Sequence, residues 1–165
     1  WYGADPNIFR PRPVQKKYDL GFSGALHGGT KIKGPAQNLR NRFYDLVSKN
    51  NTYNIFWNGS DSISPRIVDI DEYATYINMS KIWLATTGPL DMLSPRYFGE
   101  NCVIFKNDLS DLKQKLDFYL SNEDELKRVA ENGYNLAISR FTWKHMAIEL
   151  IEKVNSLSGN VQKGS

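Results

Sequence analysis

Four glycines, Gly24, Gly28, Gly29 and Gly34, separate an apolar run from an amphipathic one, and this interruption constrains the chain more than any other feature. Tyr18-Asp19-Leu20-Gly21-Phe22-Ser23 has the length and near-continuous apolarity of a buried strand. Leu39, Phe43, Leu46 and Val47 recur at the spacing of one helix face. The glycines between them read as loop, so the chain opens as strand, glycine loop, helix. The ordering repeats. Tyr53-Asn54-Ile55-Phe56-Trp57 predicts a second strand closed by a turn at Asn58-Gly59-Ser60. Asp71 is placed to cap a helix carrying Tyr73, Tyr76 and Ile77, and Lys81-Ile82-Trp83-Leu84-Ala85 predicts a third strand ending at Thr86-Thr87-Gly88-Pro89. Cys102-Val103-Ile104-Phe105 is a fourth short apolar run.

The last third reads as helix. Leu109, Leu112, Leu116 and Tyr119 share a face behind Asp108 as cap. Asn122 and Glu125 have capping-box spacing before Leu126, Val129, Ala130, Gly133 and Ala137. Thr142 precedes a helix whose inner face is expected to be Met146, Ala147, Leu150, Ile151 and Val154. Apolar strands alternating with helices predict an α/β fold, a Rossmann-like parallel sheet with helices on both faces. Pro6, Pro11 and Pro13 make residues 1–17 an extended linker, 18–155 the domain and 156–165 a flexible tail.

Composition excludes several classes. Lys and Arg number 21 against 18 Asp and Glu and are spread along the chain, which gives no footprint for nucleic acid. The lone Cys102, expected as a small buried hydrophobe, permits no internal disulfide, and with only His27 and His145 besides it no structural metal is expected. No apolar stretch approaches a membrane span and no signal-peptide pattern is present, so a cytoplasmic location is expected. Asn58-Gly59-Ser60 and Asn78-Met79-Ser80 match the glycosylation acceptor pattern by chance.

In open α/β sheets, ligands bind beyond the carboxyl ends of the strands, where helix N-termini aim unpaired N–H groups. Gly24-Ala25-Leu26-His27-Gly28-Gly29, Asn58-Gly59-Ser60 and Thr86-Thr87-Gly88 would line that edge with residues small enough to admit phosphates, and His27 is a candidate ligand contact. The glycines fit neither GxGxxG nor a P-loop, since Pro35 stands where the P-loop lysine belongs.

Gly3-Ala4-Asp5-Pro6-Asn7 with Phe9 and Pro11, followed by Tyr18-Asp19-Leu20-Gly21-Phe22-Ser23-Gly24, resembles the start of the carboxyl-terminal, donor-binding domain of two-Rossmann-domain (GT-B) glycosyltransferases. Tyr76-Ile77-Asn78-Met79-Ser80-Lys81-Ile82, Ser94-Pro95-Arg96-Tyr97-Phe98, Gly99-Glu100-Asn101-Cys102-Val103-Ile104-Phe105 and Phe141-Thr142-Trp143 continue the likeness, which is nearest to the CgeB-like and YkvP-like transferases. Those relatives carry a further segment that is missing here between Phe98 and Gly99. The resemblance implies metal-independent, cofactor-free transfer of a sugar from a nucleoside diphosphate donor. It assigns donor binding to Arg96, Tyr97, Ser23, Gly24, His27, Gly28 and Gly29, and leaves the acceptor and the catalytic residues to an amino-terminal domain. A non-catalytic binding module derived from this fold is the alternative, and a receiver-type signalling domain would need an acidic cluster at the end of the first strand, whereas Asp19 stands near its start.

Overall fold

The computed structural model describes residues 4–25, 35–49, 52–60, 69–85 and 100–161. They form β1 (Tyr18–Ala25), α1 (Pro35–Ser48), β2 (Ile55–Ser60), α2 (Ile70–Met79), β3 (Ser80–Trp83), α3 (Leu112–Ser121), α4 (Glu123–Arg140) and α5 (Trp143–Val161). The sheet is parallel, in the order β2-β1-β3. The chain moves from β1 to one neighbour, then crosses back to the other, so the sheet carries a topological switch between β1 and β3. This is the expected Rossmann-like arrangement.

Alternation along the strands separates two packing layers. Leu20 and Phe22 are buried on one face with Phe43 and Val47 of α1, Leu84, and Leu109, Leu112 and Leu116. The other face is aromatic: Phe56 stacks on Tyr76 of α2 at 4.0 Å between ring centres, and Trp83 meets Tyr73 edge-on at 5.5 Å. Gly21 makes that second layer possible. A Cβ there would lie 2.4 Å from both Ser80 Oγ and the Trp83 ring, so the indole can cover the sheet only where β1 has no side chain.

The amino-terminal segment is strapped to α2. The Arg12 guanidinium forms a two-pronged pair with Asp71, at 2.6 and 3.0 Å, and also donates to Thr75 Oγ1 and the Ile8 carbonyl. Asn78 accepts from Arg12 N and donates to the Arg10 and Ala74 carbonyls, so its amide is fully engaged. Further up the chain, Ala4 pairs with the start of α5: its N–H donates to the Phe141 carbonyl at 2.7 Å, and Trp143 N–H returns a bond to the Ala4 carbonyl at 3.4 Å.

Several local expectations are corrected. Asn58-Gly59-Ser60 does not turn but completes β2, because each residue pairs in register with β1. Asp69, not Asp71, caps α2, its carboxylate accepting from Asp71 N and Glu72 N; Asp71 is taken by Arg12. Asp108 does not cap α3. Leu109 adopts a left-handed conformation (φ 65°), which interrupts the helix until Leu112 while burying the Leu109 side chain in the core. The capping box at Asn122 and Glu125 does not form, because Asn122 donates to the Phe118 carbonyl and Glu125 pairs with Arg128. Cys102–Phe105 is not a strand of the described sheet, and Cys102 is exposed. Thr142 does cap α5, accepting from His145 N at 3.4 Å.

The largest departure is α5. Every residue from Ala147 to Ser158 is exposed, including Leu150, Ile151 and Val154, which were expected to face inward. The helix runs to Val161. Among the described residues no helix is long and apolar enough to cross a membrane.

Candidate functional site

Parallel pairing gathers the carboxyl ends of all the described strands along one edge of the sheet. Ser23 lies beside Asn58 and Gly24 beside Gly59, and Ser23 Oγ and Asn58 Oδ1 are hydrogen-bonded at 3.3 Å. Two strand ends therefore meet through small residues, of which Ser23, Gly24 and Asn58 are partly exposed and Gly59 is buried. α1 begins at Pro35, whose fixed φ suits a first helical turn and whose missing N–H costs nothing there. The N-terminus of a helix carries the positive end of its dipole.

Of the residues expected to hold a donor, Ser23 and Gly24 are brought to this edge. His27, Gly28, Gly29, Arg96 and Tyr97 lie outside the described residues. Among the described residues no group of three or more His, Cys, Asp or Glu side chains comes together to hold a metal ion.

Sequence reasoning missed a cavity of about 570 Å³ on the outer side of β3. Ile82 and Leu84 form one wall, Leu112 and Leu116 of α3 another, and Leu126 and Val129 of α4 a third. Phe105 and Tyr119 add aromatic surface, while Asn101 and Asn107 supply amides. Its cations are already partnered: Lys81 with Asp19 at 2.7 Å, and Lys115 with Asp111 at 2.6 Å and with the Ile104 carbonyl. Burial by itself would raise the pKa of Asp19, but the bonds from Lys81 and from Asn54 N outweigh it and hold the carboxyl below its ordinary value.

The segment bordering this cavity is pressed onto α4. A Cβ at Gly133 would lie 2.7 Å from the Asn101 carbonyl oxygen, and Asn132 Nδ2 donates to the Glu100 carbonyl at 3.4 Å. A glycine inside a helix costs about 1 kcal/mol relative to alanine, so the close approach of Asn101 gives Gly133 a packing reason. The sequence signal was present, since a glycine interrupting an apolar helix face calls for such a contact.

No curated protein and no solved structure matches the chain. A family model described as glycosyl transferase-like matches residues 91–152, a stretch that contains Arg96, Tyr97, the cavity segment, α3, α4 and the first half of α5. Over that part of its length the chain is similar to glycosyl transferase-like proteins, and the match supports a role in glycosyl transfer.

Proposed function

We propose that this chain is the donor-binding domain of a metal-independent GT-B glycosyltransferase, near the CgeB-like and YkvP-like branch, that takes a nucleoside diphosphate sugar in the cytoplasm. One observation carries the reading: a stretch similar to glycosyl transferases follows a parallel sheet whose strand ends converge through small residues at a switch point. As the glycosidic bond breaks, the diphosphate leaving group gains negative charge, which cations and helix N-terminal N–H groups stabilise. We assign that role to Arg96, to His27, Gly28 and Gly29 and to the α1 N-terminus, with Ser23, Gly24 and Tyr97 as further donor-binding residues.

The acceptor and the residue that activates it come from an amino-terminal domain of the same protein. Two observations support this partner. The apolar face of α5 is uncovered among the described residues, and Ala4 is paired beside the start of α5. A domain joined ahead of Ala4 would emerge next to that face. The isolated chain is therefore expected to bind nucleotide and to show no transfer, because water is not excluded from half a cleft.

The test is a titration with UDP, GDP, ADP and their sugars followed by NMR chemical shifts. Millimolar binding, about 4 kcal/mol, is expected to move signals from Ser23 and Gly24. Spectra unchanged by every nucleotide would count against a donor site.

A further inference from the structure

We infer that residues 4–17 open and close as one strap, in which the Arg12 clasp on α2 also holds the Ala4 contact at the start of α5. The inference stands apart from the nucleotide-sugar reading. No residue between 4 and 17 is buried, so polar bonds, more than apolar burial, fasten this segment. Those bonds run along α2 to its junction with β3. Phe9 meets Tyr73 edge-on at 6.3 Å, and Arg12 N–H donates to Asn78 Oδ1. Lys17 N–H donates to the Met79 carbonyl and Lys16 Nζ to the Ser80 carbonyl, both at 2.8 Å.

Arg12 is the centre of the arrangement. Nη1 donates to Asp71 Oδ2 and Thr75 Oγ1, while Nη2 donates to Asp71 Oδ1 and to the Ile8 carbonyl. One guanidinium therefore grips the helix and the strap's own turn together. From Ile8 the connection continues through backbone: the N–H groups of Ile8 and Phe9 both donate to the Asp5 carbonyl, and Asn7 N–H donates to the Asp5 carboxylate. Asp5 follows Ala4, whose N–H donates to the Phe141 carbonyl and whose carbonyl accepts from Trp143 N–H. Every step between the two fastenings is hydrogen-bonded or covalent, a continuous path from α2 to the root of α5. With the clasp open, the turn loses its anchor and Ala4 stands at the end of a loose arm. Such coupling is reciprocal, so loss of the Ala4 contact must loosen the clasp by a similar factor.

Amide hydrogen exchange of the whole chain, followed by NMR where reclosing outpaces exchange, tests this. Arg12→Lys keeps the charge, but one ammonium cannot hold a carboxylate, a hydroxyl and a carbonyl as the guanidinium fork does. Exchange at the Ala4 and Trp143 amides is expected to rise about tenfold in this variant, the scale of a lost charge-assisted bond, with the amides of β1 unchanged. Ala4→Pro removes the donor at the other end and is expected to speed exchange at Arg12 N–H to a similar degree. If Ala4 and Trp143 keep the parent's protection in Arg12→Lys, the two fastenings are independent and the inference is wrong. Should Arg12→Lys loosen β1 as well, Ala4→Pro decides: parental protection at Arg12 N–H in that variant overturns the strap, and its loss with β1 intact supports it.

Discussion

Phe43 is fully buried between the sheet and α3, in contact with Trp57 and Phe105. Phe43→Ala is expected to cost about 3–5 kcal/mol, read by urea denaturation, since neither a strand nor α3 can collapse into the space. Gly21 is the opposite case, a position defined by what it lacks. Gly21→Ala would drive a methyl group into Trp83, and an overpacking loss of about 1–3 kcal/mol is expected, with changed tryptophan fluorescence as its signature. For function, Arg96→Ala is expected to weaken nucleotide binding by about 1.5–3 kcal/mol, with partial recovery in Arg96→Lys, because a point charge replaces only part of a guanidinium's bonding. Equal nucleotide affinity in Arg96→Ala and the parent would remove Arg96 from the site. Gly133 and Asn101 show how much was readable at this scale: the glycine within α4 is visible in the sequence, but which carbonyl it admits depends on where residues 100–105 run.

Between elements, carboxylates do the fastening. Asp71 holds the amino-terminal segment on α2 through Arg12, Asp19 joins β1 to β3 through Lys81, and Asp111 ties α3 to the preceding turn through Lys115 and Lys106 N. Each has its pKa lowered in the folded chain: Asp71 first by the Arg12 hydrogen bond, Asp111 first by that from Lys115, and Asp19 by bonds that overcome desolvation. A carboxyl with a depressed folded pKa contributes stability above its unfolded pKa and loses it as pH falls through the folded value. Stability is therefore expected to be flat near neutrality and to decline below about pH 4, where unfolded aspartates protonate. Thermal melts across that range should show a shallower acid decline in Asp71→Asn than in the parent. An identical slope would mean that the Arg12 pair adds nothing to folding.

Over the whole molecule, the exposed apolar stripe of α5 is the surface that the proposed amino-terminal domain would cover. Leu150 and Val154 are 63% and 52% exposed, so Leu150→Lys with Val154→Glu is expected to change stability by less than about 0.5 kcal/mol in this chain. The same pair of changes is expected to abolish association with an amino-terminal domain supplied in trans, measured by co-purification. A large loss of stability in the isolated chain would show that the stripe packs against its own domain.

By itself the sequence determined the alternation of strands and helices, the parallel sheet and the small residues at the ends of β1 and β2. These follow from local periodicity and from the steric freedom of glycine, which neighbouring residues alone express. Caps were less legible, because Asp71 and Glu125 each had a choice between a helix end and a cation, whose position is a tertiary fact, and Asp108 is followed by Leu109 in a left-handed conformation. The face of α5 was legible as apolar, but not as uncovered: periodicity says which residues share a side, and only the packing of the remaining elements decides whether anything lies against it. The cavity belonged wholly to the tertiary structure, since its walls come from segments far apart in the chain and the spacing of β3, α3 and α4 appears in no local pattern.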